Sequence, residues 1–159
     1  KEISKNSPDV WNYLQNHKER LDSRRSSIYK KRPFFSVFGV GGYSFAPWKI
    51  AISGLYKKLE FVLCPPIGDK PVMVDDTAYF LSARNESEAK ILFGLVQSAE
   101  VRSLLSAMIF WDNKRPITAD LLNCIDLEKV AKSKLKDDDI SQIVRESPVG
   151  QLSLFDANA

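Results

Sequence analysis

Apolar side chains recur at two periods along this chain, and the switch between them lays out its elements. Val10, Leu14, His17 and Leu21 fall on one face at helical spacing. Ser7 supplies a cap, Pro8 suits the first helical position and Asp9 favours the positive end of the dipole. Together they predict a helix from about Pro8 to Ser23, with His17 packed on its apolar face rather than acting as a ligand. The period then shortens. Phe34 to Phe38 reads as a strand, and Trp48 to Ser53 alternates Trp48, Ile50 and Ile52 with Lys49, Ala51 and Ser53. Leu59 to Cys64 is rich in β formers and stops at Pro65-Pro66. Pro71 to Val74 and Ala78 to Ser82 follow, joined by the acidic turn Asp75-Asp76. Helical spacing returns in Glu86–Gln97 behind an Asn85 cap, in Glu100–Phe110, from Thr118 to Asn123, and in Leu127–Ser133 behind Asp126. Asp139–Glu146 carries a weaker face of Ile140, Ile143 and Val144. The expected fold is α+β: an N-terminal helix, a central, mostly antiparallel sheet of about five strands, and C-terminal helices. Residues 1–147 are expected to form one domain and 148–159 a flexible tail.

Composition narrows the function classes. At 159 residues and 44% hydrophobic, the chain has the means to bury a core. No apolar run approaches the roughly 20 residues that span a bilayer, so no membrane partner is expected, and the sparse cysteine use points to a cytoplasmic protein. Cys64, Cys124 and His17 are too few for a structural zinc site, which takes four ligands. Scarce cysteine points to a reducing compartment and to two buried thiols, with a disulfide as the lesser alternative. The chain opens on Lys1 without a signal peptide, and a fragment of a longer protein is expected.

Charge changes the picture further. From Ser23 to Leu59 there is no Asp or Glu, and eight basic residues occur: Arg24, Arg25, Lys30, Lys31, Arg32, Lys49, Lys57 and Lys58. That stretch is +8 and the rest of the chain −5. It also carries eight of the 17 aromatic residues, together with Gly39, Gly41 and Gly42. Cations neutralise phosphates and release counterions, aromatic and hydroxyl groups pack on sugars or bases, and glycines allow close approach. This is the composition of a groove-facing loop, although an ordinary basic surface with core-facing aromatics fits the same residues.

Catalytic patterns do not appear. Phe38-Gly39-Val40-Gly41-Gly42 matches neither a dinucleotide fingerprint nor a phosphate loop. Cys64-Pro65-Pro66-Ile67 lacks the polar residue and the aromatic that an amine-methylating Asn/Asp-Pro-Pro-aromatic motif uses. Asp75-Asp76 and Asp137-Asp138-Asp139 are neighbouring carboxylates of the kind that is usually solvated. The single His17 has no evident nucleophile to serve.

The order of four stretches nevertheless resembles a known family. They are Ser7-Pro8 with Val10, Tyr13-Leu14 and Leu21-Asp22-Ser23-Arg24; Ile28-Tyr29 through Arg32-Pro33-Phe34-Phe35 to Trp48-Lys49-Ile50; Asp76-Thr77-Ala78-Tyr79-Phe80-Leu81; and Ala89 to Ser98 followed by Trp111 and Lys114-Arg115-Pro116-Ile117. Together they resemble the C-terminal target-recognition domain of TaqI-like, type II gamma-class adenine-specific DNA methyltransferases of restriction–modification systems. The resemblance implies sequence-specific binding of double-stranded DNA. It implies that an N-terminal catalytic domain, expected before Lys1, holds S-adenosylmethionine, and that this stretch holds no cofactor and no catalytic residue. Arg24, Arg25, Lys30, Lys31 and Arg32 would hold phosphates, and Lys49 would also bind DNA. Tyr43, Ser44, Lys57, Lys58, Lys114 and Arg115 would reach base edges. Phe34-Phe35 stands where relatives often have tryptophan, a departure that falls on the local packing.

Gln151-Leu152-Ser153-Leu154-Phe155 is similar to the short motif that docks prokaryotic DNA-processing proteins on the replication sliding clamp. A tail would place Leu152, Leu154 and Phe155 in an apolar pocket with Gln151 at its rim, or fold back on its own domain. The alternative to a DNA reader is a subunit-docking module with a basic face.

Overall fold

The computed structural model describes residues 2–134, which group into two compact units that divide between Phe38 and Gly39. The first unit holds three short helices, α1 (Glu2–Asn6), α2 (Pro8–Asn16) and α3 (Lys18–Asp22), then a 3-10 turn at Ser27–Tyr29. The single helix expected from Pro8 to Ser23 is interrupted at His17. There the backbone leaves helical geometry (φ −108°, ψ 12°), and one amide is shared between the Tyr13 and Leu14 carbonyls at 3.2 Å each. His17 is exposed rather than packed on an apolar face, and its ring stands edge-on to Tyr13 at 4.3 Å. No described residue of this unit is fully buried. Its apolar centre is a trio of rings, with Trp11 5.8 Å from Phe35 and 6.0 Å from Phe34.

The second unit is built on a three-stranded antiparallel sheet in the order β2-β1-β3. β1 (Trp48–Ser53) lies between β2 (Val62–Cys64) and β3 (Ala78–Ala83), with Ile50 opposite both Leu63 and Leu81. The expectation of five strands is therefore corrected to three, within an α+β fold. Phe34–Phe38 is not a strand, because Ser36 N–H closes a turn onto the Pro33 carbonyl at 2.9 Å. Pro71–Val74 joins no strand among the described residues, and both edges of β1 are already taken. Pro71 has no N–H to give to a ladder, and a turn centred on Gly68 (φ +60°) precedes it.

Ile50, Ile52, Tyr79, Leu81 and Ala83 share one face of the sheet and join Ala89, Val96, Val101, Leu105, Ile117 and Leu122 in one core. These residues come from α4 (Glu86–Val96), α5 (Ala99–Met108), the loop after α5 and α6 (Ala119–Leu122), with α7 (Leu127–Lys134) adding Leu127 and Ala131. The capping residues read from the sequence do this work. Asn85 accepts from Glu88 N–H at 2.9 Å, Thr118 from Leu121 at 3.3 Å, and Asp126 from Lys129 at 2.9 Å. Ser98 caps α5 in the same way, by accepting from Val101 N–H at 3.5 Å.

Cys124 is an exposed thiol and Cys64 a half-buried one, not the buried pair expected and not a disulfide. No single helix among the described residues is long and apolar enough to cross a membrane.

Candidate functional site

The cations nearest α3 are organised by one side chain. Arg24 follows the helix end and spends its guanidinium on three backbone carbonyls. Nε donates to Leu21 at 2.8 Å, Nη1 to Ser36 at 2.9 Å and Nη2 to Phe34 at 2.5 Å. Its plane lies 3.7 Å from the Tyr29 ring centre. A closed loop results, with base residues Arg24 and Phe34–Ser36. Within it Lys30 takes φ −63°, ψ 133° and Lys31 φ +65°, while Arg32 N–H returns to the Tyr29 carbonyl at 3.2 Å. This is a type II turn with lysine where glycine or asparagine is favoured. A non-glycine residue in that region costs about 1 kcal/mol or more. Lys31 is the only described non-glycine residue with positive φ.

Lys30, Lys31 and Arg32 all face solvent, and so does Arg25. A hollow of about 110 Å³ opens beside them, bordered by Asp22, Arg24, Tyr29, Lys30, Arg32 and Phe34. Arg32 reaches over the Phe38 ring at 5.8 Å.

The glycine-rich stretch behaves differently from a free loop. Gly42–Phe45 forms a 3-10 turn whose Ser44 hydroxyl, buried, accepts from Gly41 N–H at 3.2 Å. Tyr43 packs its ring 5.8 Å from Phe80, and its carbonyl accepts from Ser82 Oγ at 3.1 Å. The segment thus lies over the sheet face that the core does not use. Beneath it sits Lys49, 1% exposed, whose Nζ donates to the Ala46 carbonyl at 2.7 Å and lies 5.6 Å from the Phe80 ring centre. Burial pulls the Lys49 ammonium below its ordinary pKa, and the Cys64 sulfur opposes that shift. Burial likewise pushes the Cys64 thiol up, against the pull of Lys49.

Four other cations gather at the far end of β1. Lys57 and Lys58 are exposed in the bend after Ser53, whose hydroxyl accepts from Leu55 N–H at 3.2 Å and Tyr56 N–H at 3.3 Å. Gly54 ties this bend to Thr77 by a 2.8 Å hydrogen bond. Lys114 and Arg115 are exposed in the segment after α5, and Arg115 donates to the Asp76 carbonyl at 3.4 Å. The acidic turn between them is not free: Asp75 accepts from both the amide and hydroxyl of Thr77, which hold its carboxyl below the usual range, with Arg115 adding to the effect.

The structure thus brings together Arg24, Arg25, Lys30, Lys31 and Arg32 in one loop, and Lys57, Lys58, Lys114 and Arg115 at one end of the sheet. It turns Ser44 and Lys49 inward. The charge divides with the units. Residues 1–38 hold nine basic and four acidic residues, a net of +5, and the remainder of the chain is −2. Sequence reasoning missed the stacking of Arg24 on Tyr29 and the left-handed Lys31. Neither has a local signal, since both depend on how the loop closes. Gln151, Leu152, Leu154 and Phe155, the tail boundary and the helix expected at Asp139–Glu146 lie outside the described residues.

Among known proteins, the chain is 52% identical over 126 residues to the Type II methyltransferase M.NspV of Nostoc sp. (strain ATCC 29411 / PCC 7524). The aligned part is 79% of this chain and 26% of that protein, so the chain spans about a quarter of the length of the relative it matches. No protein-family model matches the chain, and no solved structure does.

Proposed function

Working from kinship over most of its length with part of a Type II methyltransferase, we propose that this chain is the DNA target-recognition part of an adenine-specific DNA methyltransferase of a restriction–modification system. The TaqI-like, gamma-class reading rests on the shared order of the four motif stretches. The observation that carries DNA binding is the turn Lys30-Lys31-Arg32: three consecutive exposed cations on a closed loop, one of them held at a backbone position that lysine occupies at a cost. Arg25, Lys30, Lys31 and Arg32 contact phosphates and set the register on the duplex. Lys57, Lys58, Lys114 and Arg115, with Tyr43, are the candidates for base edges. Lys49 and Ser44, being buried, support the sheet face and the glycine-rich turn and do not touch DNA in this conformation. In this reading S-adenosylmethionine and the methyl-transfer chemistry belong to a part of the protein outside this chain, and this chain clamps the duplex while the target adenine is extruded.

The test is duplex binding across a salt series. Four phosphate contacts predict a slope of about −3 to −4 in log K against log salt. Affinity that does not respond to salt contradicts the reading. A second reading, a protein-docking module, is favoured by the exposure of Phe110 and Tyr56 beside the cations at the sheet end. Replacing Arg25, Lys30 and Arg32 together discriminates: a DNA reader loses affinity for every duplex, whereas a docking module is unaffected.

A further inference from the structure

We infer that Arg24 is a positioning residue: it holds the loop Arg25–Phe38 in the shape that presents Lys30, Lys31 and Arg32, and it does not itself contact DNA. The presentation of cations to phosphates rests on the function proposed above; the shaping of the loop does not. Three observations carry it. Arg24 is half-buried, while the cations of the turn are exposed. Its guanidinium is already engaged with the carbonyls of Leu21, Phe34 and Ser36, which come from both ends of the loop. One of its faces is stacked on Tyr29, the first residue of the type II turn.

The geometry explains how Lys31 stays left-handed. The turn closes with the backbone hydrogen bond from Arg32 N–H to the Tyr29 carbonyl at 3.2 Å, and a lysine at its third position works against it. Tyr29 is fixed from outside the turn by Arg24, stacked on its ring, and by Phe38, edge-on at 5.3 Å. A planar fork with several donors spans three carbonyls and stacks at the same time; an ammonium on a flexible stem cannot do both. Arginine and lysine should therefore differ sharply here, although both carry one positive charge.

Two arms test the idea on the full chain. In the first, without DNA, amide hydrogen exchange is followed at residues 29–38 in the native protein, Arg24→Lys, Arg24→Ala and Lys31→Gly. Both Arg24 variants are expected to raise exchange there by about tenfold or more, with the amides of α2, in the same unit, unchanged as the control for folding. Lys31→Gly is expected to leave it unchanged or lower it. Unchanged exchange in Arg24→Lys overturns the inference. In the second arm, binding to a 20-base-pair duplex is measured across salt. Arg24→Lys should lose as much affinity as Arg24→Ala, and Lys31→Gly should reduce the salt slope by about one. Native affinity in Arg24→Lys would make residue 24 a simple phosphate contact and would also overturn the inference. If the native chain shows no salt-dependent binding, the DNA reading falls, and the exchange arm still decides the role of Arg24.

Discussion

Gly54→Ala should destabilise the second unit through space alone. Gly54 is buried, and its φ is not positive, so alanine meets no backbone penalty there. The added Cβ would lie 2.9 Å from a Tyr79 ring carbon, 3.1 Å from the Ile117 carbonyl oxygen and 3.3 Å from that of Thr77. Two of these three atoms are backbone, and the Tyr79 ring is itself only 9% exposed, so little can give way. Overpacking of this kind costs about 1–3 kcal/mol. Against it stands a gain of about 0.4–1 kcal/mol from the less flexible unfolded chain. The net loss should be about 1–2 kcal/mol, which lowers the urea midpoint by about 0.5–1 M for a typical slope. Gly94→Ala is the matched control. An added Cβ there meets nothing within 4 Å, the site lies inside α4, and helix propensity alone predicts a gain of about 0.5–1 kcal/mol. Urea unfolding of the two variants with the native protein decides the matter. A Gly54→Ala midpoint equal to or above the native one would refute the claim that β1, the Thr77 turn and Ile117 are held in close contact at this residue.

Lys49→Met should flatten the alkaline pH dependence of stability. Burial lowers the Lys49 pKa, so between the folded value and 10.5 the unfolded chain holds the extra proton, and stability rises with pH across that window. A Met variant should lose that rise, read as a smaller difference in urea midpoint between pH 8 and pH 10; an unchanged rise would place the ammonium in water. Asn85→Ala should cost about 1 kcal/mol by removing the cap on Glu88 N–H, and the thermal midpoint reports it, with Asn85→Ser largely restoring the native value.

The helices of the second unit were legible because their signals are local. Asn85, Thr118 and Asp126 each cap the helix they precede, and a cap needs only its own residue and the next three. β1 was legible for a related reason, since its alternation survives burial of both faces. The extra strands were misread because pairing is not local. Phe34–Phe38 has strand composition, yet its aromatics pack on Trp11 and Tyr29 within a short helical unit. The break at His17 was invisible to periodicity, which continues across it.

For the candidate site, the cationic character of the stretch from Ser23 to Leu59 was readable, but its division was not. A charge count treats Arg24 and Lys49 as equals of Lys31, whereas the fold gives each a different task. Arg24 is consumed by carbonyls, Lys49 lies beneath a turn, and Lys31 is extended to solvent on a strained backbone. Only the last arrangement is hard to account for by structure alone. Glycine at position 31 would close the same turn without strain, so stability gives no reason for lysine there. A cation held at the apex at a conformational cost needs some gain outside the fold, and a polyanion meeting Lys30, Lys31 and Arg32 together would supply it.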